Sequence, residues 1–252
     1  MPRFFLPPDF TVSLTDPLPA GITLSGEDAF HLSVSLRARV GDPVLVCTAS
    51  AIEISCRIES ITGGKKDPRV FLVPQSMQKS QTEPPLDLTV YQAIPKGKKT
   101  DSIIQKCTEL GAGRLVFVYS DHAVPTGDGE EKKISRFQRI AEEAAKQCGR
   151  GKLVPIEFLG STEEAIAQMK QADLSFFCYE QEGENGLKKL LSSCAPFSSV
   201  SFFIGPEGGI SPREAALFET AEIPAVTLGK RILRTETAAT AVLSMILYET
   251  EL

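Results

Sequence analysis

Several chemistries are missing from this 252-residue chain. There are only two histidines, and the six cysteines (47, 56, 107, 148, 178 and 194) form no CxxC pair. Zinc ligation is thereby disfavoured and no metal is expected. Thiols so scattered suit a reducing cytosol. No segment approaches the roughly eighteen consecutive apolar residues of a membrane span, so no membrane partner is expected. The opening MPRFFLPPDF has no long apolar core ahead of a cleavage site and does not read as a secretory signal. The formal charge of −5 argues against a general nucleic-acid coat protein. It leaves an RNA enzyme open, because local basic patches and not net charge meet phosphates. What is present is ordinary for a globular protein: 23% charged and 42% hydrophobic residues. The length allows one large or two modest domains.

Residues 1–74 read as short strands between turns, in GDPVLVCTA, AIEISCRIESI and VFLVP, with one helical segment in GEDAFHLSVSLR. This is the pattern of a small β-barrel or sandwich. The polar stretch QSMQKSQTEPP, 75–85, reads as a linker. From Leu86 to residue 252 strands alternate with helices, which predicts an α/β domain: a mostly parallel sheet covered on both faces. In TDSIIQKCTELGA, Ile103, Ile104, Cys107 and Leu110 share a face and Gly111 stands at the C-cap. Ser161 with Glu164 predicts a capping box.

The segment SFFIGPEGGISPREAALFE places a glycine-rich turn between a strand and a helix. Ser211, Pro212 and Glu214 spell a helix start. Ile210-Ser211 stands where a Walker loop needs Lys-Ser/Thr, and Glu207 would repel a pyrophosphate, so both features argue against phosphate cradling. Alone, the loop also reads as a tight βα turn whose glycines serve geometry. About twenty residues on, LGKRILRTETAATAVLSMI sets Arg231, Arg234, Glu236 and Thr237 between a strand end and an apolar helix. A purely structural reading makes Thr235 or Thr237 an N-cap and the arginines solvated. Two such loops at the carboxyl ends of neighbouring strands predict a ligand cleft.

FFIGPEGGISPRE followed by LGKRILRTETAATAV resembles the small-subunit ribosomal RNA uridine-N3 methyltransferases of the SPOUT, or trefoil-knot, superfamily. The likeness covers essentially the whole chain. KGKKTDSIIQKCTELGA and RFQRIAEEAAKQCGR also carry it, and MPRFF and HLSVSLRARVGD carry it more weakly. It implies a PUA-like β-barrel for RNA at residues 1–74 and a knotted, homodimeric domain that binds S-adenosylmethionine at 86–252. It also implies 16S ribosomal RNA of the small subunit as substrate and a cytoplasmic setting. Two departures stand out. Ser120-Asp121-His122-Ala123 replaces an expected arginine segment, and Ile210 replaces a phenylalanine.

The resemblance places Ile204, Gly205, Pro206, Glu207, Gly208, Gly209, Leu228, Gly229, Ile232, Leu233, Thr237 and Ala238 around the cofactor. For the leucines and isoleucines the alternative is core packing. Uracil N3 methylation needs a weakly acidic proton removed and the base held in line. Arg234 is expected to stabilise the developing anion, and Glu236 to orient the base or take the proton. His122 is expected as a surface residue rather than a base. Arg3, Arg37, Arg39, Lys96, Lys98, Lys99 and Arg150 are candidates for RNA phosphates, with ordinary solvated charge as the alternative. Lys106 and Glu109 read as cleft or dimer support, or as a solvated helix pair. A ribose 2′-O-methyltransferase of the same superfamily and a non-catalytic assembly factor remain as rival readings.

Overall fold

The structure, a computed structural model, describes residues 1–97, 99–123, 130–180, 183, 185–193 and 196–250. It divides into two compact units, Met1–Glu83 with Ala145–Leu153, and Pro84–Ala144 with Val154–Leu252.

The first unit contains β1 (Arg3–Phe5), β2 (Ile22–Leu24) and α1 (Gly26–Phe30), the last continued by a π-helical turn at His31–Ser35. Then come β3 (Pro43–Cys47), β4 (Ile52–Gly64) and β5 (Asp67–Lys79). The sheet order is β1-β3-β4-β5-β2. Alternating residues of β4 and β5, including Ile54, Cys56, Ile58, Val70 and Leu72, pack with Leu32 and Phe4 in one core. Among the described residues the three-residue strands β1 and β2 end the ladder at opposite edges, so the sheet is open where a closed barrel was expected. The expected linker is also corrected. Residues 75–79 continue β5, with Lys79 paired to Ile52. Backbone pairing does not require apolar side chains, and these polar ones sit on an exposed stretch of ladder.

The rest of that segment is pinned by polar contacts. Ser80 donates to Glu53 at 2.9 Å, and the Thr82 hydroxyl donates to the Gly149 carbonyl at 2.9 Å. Two residues expected at RNA are consumed here. Arg150 is 2% exposed and grips Glu83 through both Nε, at 3.3 Å, and a terminal nitrogen. Arg3 donates to Glu53 at 2.8 Å and to the Arg150 carbonyl at 2.8 Å. A guanidinium fork matches a carboxylate as well as it matches a phosphate, and sequence alone does not choose between them.

The second unit runs β6 (Asp87–Ala93), α2 (Lys99–Glu109), β7 (Arg114–Val118), α3 (Glu130–Cys148), β8 (Ile156–Leu159) and α4 (Thr162–Met169). It continues with β9 (Leu174–Cys178), α5 (Leu187–Ser193), β10 (Ser199–Ile204), α6 (Pro212–Thr220), β11 (Ala225–Val226) and α7 (Thr235–Thr250). Six strands pair in the order β11-β9-β10-β6-β7-β8, and every pairing is parallel. A parallel sheet is buried on both faces, which is why RLVFV, LSFFC and VSFFI are nearly continuous apolar runs. Side chains alternate between the faces. Val90, Phe176 and Phe202 pack against α2, α3, α5 and α7, while Tyr91, Phe177 and Phe203 pack against α4 and α6. Phe177 stacks on Phe218 with centroids 4.4 Å apart.

Helix α2 stops where the sequence said it should. Gly111 takes φ +82°, and the amides of Gly111 and Ala112 return to the carbonyls of Thr108 and Cys107. Lys106 and Glu109 form an exposed pair on α2 at 3.1 Å. At α4 the Ser161 side chain accepts from the Glu164 amide, but the Glu164 carboxylate turns to the Gly160 amide, so the box is only half closed. Strands β7 and β8 lie on one side of β6, and β10, β9 and β11 on the other. The direction of winding therefore reverses at β6, and the carboxyl edge there is where such sheets bind ligands.

Replacing Arg150 by Met leaves the Glu83 carboxylate buried without its cation. We expect a loss of about 3–5 kcal/mol in unfolding free energy for the first unit, read by urea denaturation, as for other broken buried pairs.

Candidate active site

Two turns meet at that carboxyl edge. The first, residues 205–211, joins β10 to α6. Gly209 takes φ +73°, and its amide returns to the Pro206 carbonyl at 3.0 Å. Only glycine adopts that conformation without strain. The turn is anchored beyond it: Ile210 is buried in the core beneath α6, so its replacement of phenylalanine is a matter of packing. Ser211 and Glu214 form the complete capping box expected from the sequence. The fully buried Glu214 also accepts from the Thr162 hydroxyl at 2.6 Å and the Asp121 amide at 3.1 Å. Asp121 in turn accepts from Ser211 and Arg213, and these hydrogen bonds hold its carboxyl down at about 2.

The second turn, residues 227–234, joins β11 to α7. Helix α7 begins with the Ala238 amide bonded to the Arg234 carbonyl at 2.8 Å. Thr235 is buried in the first helical turn rather than serving as N-cap. Its hydroxyl donates to the Gly205 carbonyl at 2.8 Å and accepts from Gln92 Nε2 at 2.8 Å. One hydroxyl thus ties the end of β6, the start of α7 and the first turn together.

Between the turns lies a cavity of about 880 Å³. Ile204, Val226, Leu228, Leu233 and Ala238 give it apolar walls, and Glu180 and Glu207 give it carboxylates. Lys99, the first residue of α2, also lines it. Its ammonium lies 2.7 Å from Glu207 and 3.6 Å from Glu236. The bond to Glu207 raises the Lys99 pKa. Burial pushes the Glu207 carboxyl up, but Lys99 and the Lys96 amide outweigh it and leave the pKa lowered. Glu236 Oε2 is buried and, among the described residues, accepts no hydrogen bond. Arg234 lines the cavity, and among the described residues its guanidinium makes no hydrogen bond or ion pair. Cys178 also lines the cavity, and burial pushes its thiol up to about 12.

A family model for an RNA methyltransferase domain matches residues 82–247. The chain is 31% identical to the ribosomal RNA small subunit methyltransferase E of Bacillus subtilis, over all of this chain and 98% of that one. The chain belongs to the RNA methyltransferase family. Among solved structures, ribosomal RNA small subunit methyltransferase E of Neisseria gonorrhoeae, bound to S-adenosyl methionine, superposes with a TM-score of 0.82. It is 27% identical, over 99% of this chain and 98% of that one. A Legionella pneumophila protein solved with bound SAM gives a TM-score of 0.81 at 27% identity, over 98% and 97% of the two chains.

For a member of this family the expected site residues fall as follows. Ile204, Gly205, Pro206, Glu207, Gly208, Gly209, Leu228, Gly229, Ile232, Leu233 and Ala238 all line the cavity. Thr237 does not; it is exposed on the outer side of α7, and Thr235 holds the inner position. Helical periodicity makes neighbours 235 and 237 face apart, and the choice between them depends on how α7 is rotated against the sheet. Glu236 lies beside the cavity and reaches it through Lys99. Lys96 is exposed and uses its backbone amide to hold Glu207. Arg37 and Arg39 are exposed, and Arg37 takes a left-handed φ of 56°. Lys98 lies outside the described residues.

Sequence reasoning missed Lys99, Tyr179 and Glu180 as cleft residues, and Gln92 as the buried partner of Thr235. Tyr179 and Glu180 directly follow β9, so the same strand-end rule that found the two turns points to them too. Gln92 carried a signal as well: it is a polar residue next to the end of an apolar strand.

Thr235→Val keeps the shape and removes the hydroxyl, leaving the Gly205 carbonyl unpaired. We expect about 1–3 kcal/mol lower stability by urea denaturation. Thr237→Val should stay within about 0.5 kcal/mol of wild type, as surface changes do.

Proposed function

We propose that the protein methylates N3 of a uridine in 16S ribosomal RNA of the small subunit, using S-adenosylmethionine. The observation that carries this reading is the cleft between the two glycine turns in a chain of the RNA methyltransferase family. Its volume of about 880 Å³ is in the range of cofactor sites. Its chemistry fits the cofactor: apolar walls for an adenine, turn backbone for hydrogen bonds, and Glu180 and Glu207 for a cationic ligand. The names of the relatives and the cofactor in two related structures support the same reading.

When bound, S-adenosylmethionine supplies a methyl group activated by a sulfonium. The chain's own residues then handle the base. Arg234, free of any partner among the described residues, offers its guanidinium to the uracil oxygens as negative charge develops. Glu236, whose Oε2 accepts no hydrogen bond among the described residues, takes the N3 proton. Lys99 holds Glu207 and Glu236 in place between α2, the first turn and α7. N3 lies on the pairing edge, so the uridine must be unpaired or splayed out before reaction. Arg37 and Arg39 on the first unit are the candidates for RNA phosphates, and we read that unit as PUA-like. We read the second unit as a SPOUT knot, a reading supported by the likeness to RNA methyltransferases over residues 82–247. The setting we propose is cytoplasmic, and no described helix is long and apolar enough to cross a membrane.

A homodimer belongs to the same proposal. Helix α7 buries Val242, Leu243 and Ile246 inward, yet Met245 and Tyr248 are 41% and 69% exposed on its other side. A helix apolar on both sides has a second surface to cover. Light scattering at micromolar concentration is expected to give twice the chain mass, and Tyr248→Glu to shift it toward the monomer; a wild-type monomer counts against the proposal.

Arg234→Ala is expected to lower turnover about 100-fold or more, as loss of a charge-stabilising donor does, with cofactor affinity held within about threefold. The assay is nucleoside mass spectrometry of ribosomal RNA incubated with cofactor. A normal rate in the variant makes this arginine structural, and a methyl group on ribose or another base overturns the N3 assignment.

A further inference from the structure

The loop after β7 contains the Asp121-His122-Ala123 segment, where an arginine was expected, and the structure places it against the first glycine turn. His122 Nδ1 lies 3.1 Å from the Gly209 carbonyl oxygen. A carbonyl only accepts, so Nδ1 carries the proton and donates it. The fit is close: a Cβ added at Gly208 would stand 2.9 Å from His122 Cβ. The next residue back fixes the loop to α6, since Asp121 takes bonds from Ser211 at 2.6 Å and from Arg213 at 3.0 Å and gives its amide to Glu214.

Strand β7 is not a neighbour of β10; β6 lies between them. The loop therefore reaches across a strand to hold a turn that belongs to another. Gly208 and Gly209 both line the cavity, whereas His122 does not. Residue 122 thus sits behind the cofactor turn. Thr235 grips that turn at Gly205, and His122 grips it at Gly209.

We propose that His122 is a positioning residue for cofactor binding. Its Nδ1–H fixes the Gly209 carbonyl so that the turn presents its glycine backbone to the ligand in one conformation. Preorganising a binding turn raises affinity by removing the entropy otherwise lost when the ligand orders it. This rests on the cleft being the S-adenosylmethionine site.

Side-chain geometry supplies the test. The amide nitrogen of asparagine stands as many bonds from Cα as Nδ1 of histidine, while that of glutamine stands further out, as Nε2 does. Titration calorimetry with S-adenosylmethionine should show His122→Ala and His122→Gln binding roughly five- to tenfold more weakly, about the loss of one hydrogen bond. His122→Asn should stay within about threefold of wild type. Equal affinity in all variants overturns the proposal, and so does an asparagine variant as weak as the alanine one. A second readout does not depend on the cofactor. The chain has two histidines, so ring nitrogen-15 spectra in alkaline buffer can be assigned by comparison with His122→Asn. His122 should appear as the Nδ1–H tautomer; the Nε2–H form removes the bond and the proposal with it. Failure of wild type to bind the cofactor, with the tautomer as expected, overturns the ligand assignment while leaving the turn contact standing.

Discussion

The hydroxyl of Thr235 holds the site together. It is buried, it donates to the Gly205 carbonyl, and it accepts from Gln92. A carbonyl at the start of a turn must be satisfied or it costs free energy, and here the Thr235 hydroxyl satisfies it. The bond therefore fixes where α7 starts relative to β10. The apolar face of α7, packed on the sheet through Ala239, Val242 and Leu243, holds that position from the other end. Packing sets the distance of helix from sheet, and the hydroxyl sets the register at the cleft.

Charge in the cleft follows from the same arrangement. Glu207 comes from the turn after β10, Glu236 from α7 and Lys99 from α2, and a single ammonium spans the two carboxylates. Among the described residues Arg234 has no acid of its own.

The first unit uses arginine in two opposite ways. Arg3 and Arg150 are spent on Glu53 and Glu83, where they fasten the polar segment after β5. Arg37 and Arg39 remain at the surface. Nothing in the local sequence around Arg150 distinguishes the two fates. Its partner is 67 residues away in the chain, and only folding brings them together.

By itself the sequence determined the alternation of strand and helix from Leu86 onward, the Gly111 helix stop, the Ser211 capping box and the two turns of the cleft. Each of these depends on residues within a few positions of one another: side-chain periodicity, the φ that glycine tolerates, a hydroxyl three residues ahead of a carboxylate. What only tertiary structure decided was which of several similar residues face inward. It chose Thr235 over Thr237, turned Lys99 from a presumed RNA contact into the bridge between two acids, and buried Arg150. It carried β5 through a polar stretch that composition marks as a linker, because ladder bonds come from the backbone. It also placed His122 against Gly209, 87 residues away. Hydrogen bonds and ion pairs act over a few ångströms and take no account of sequence separation, so their partners appear only when the chain has folded.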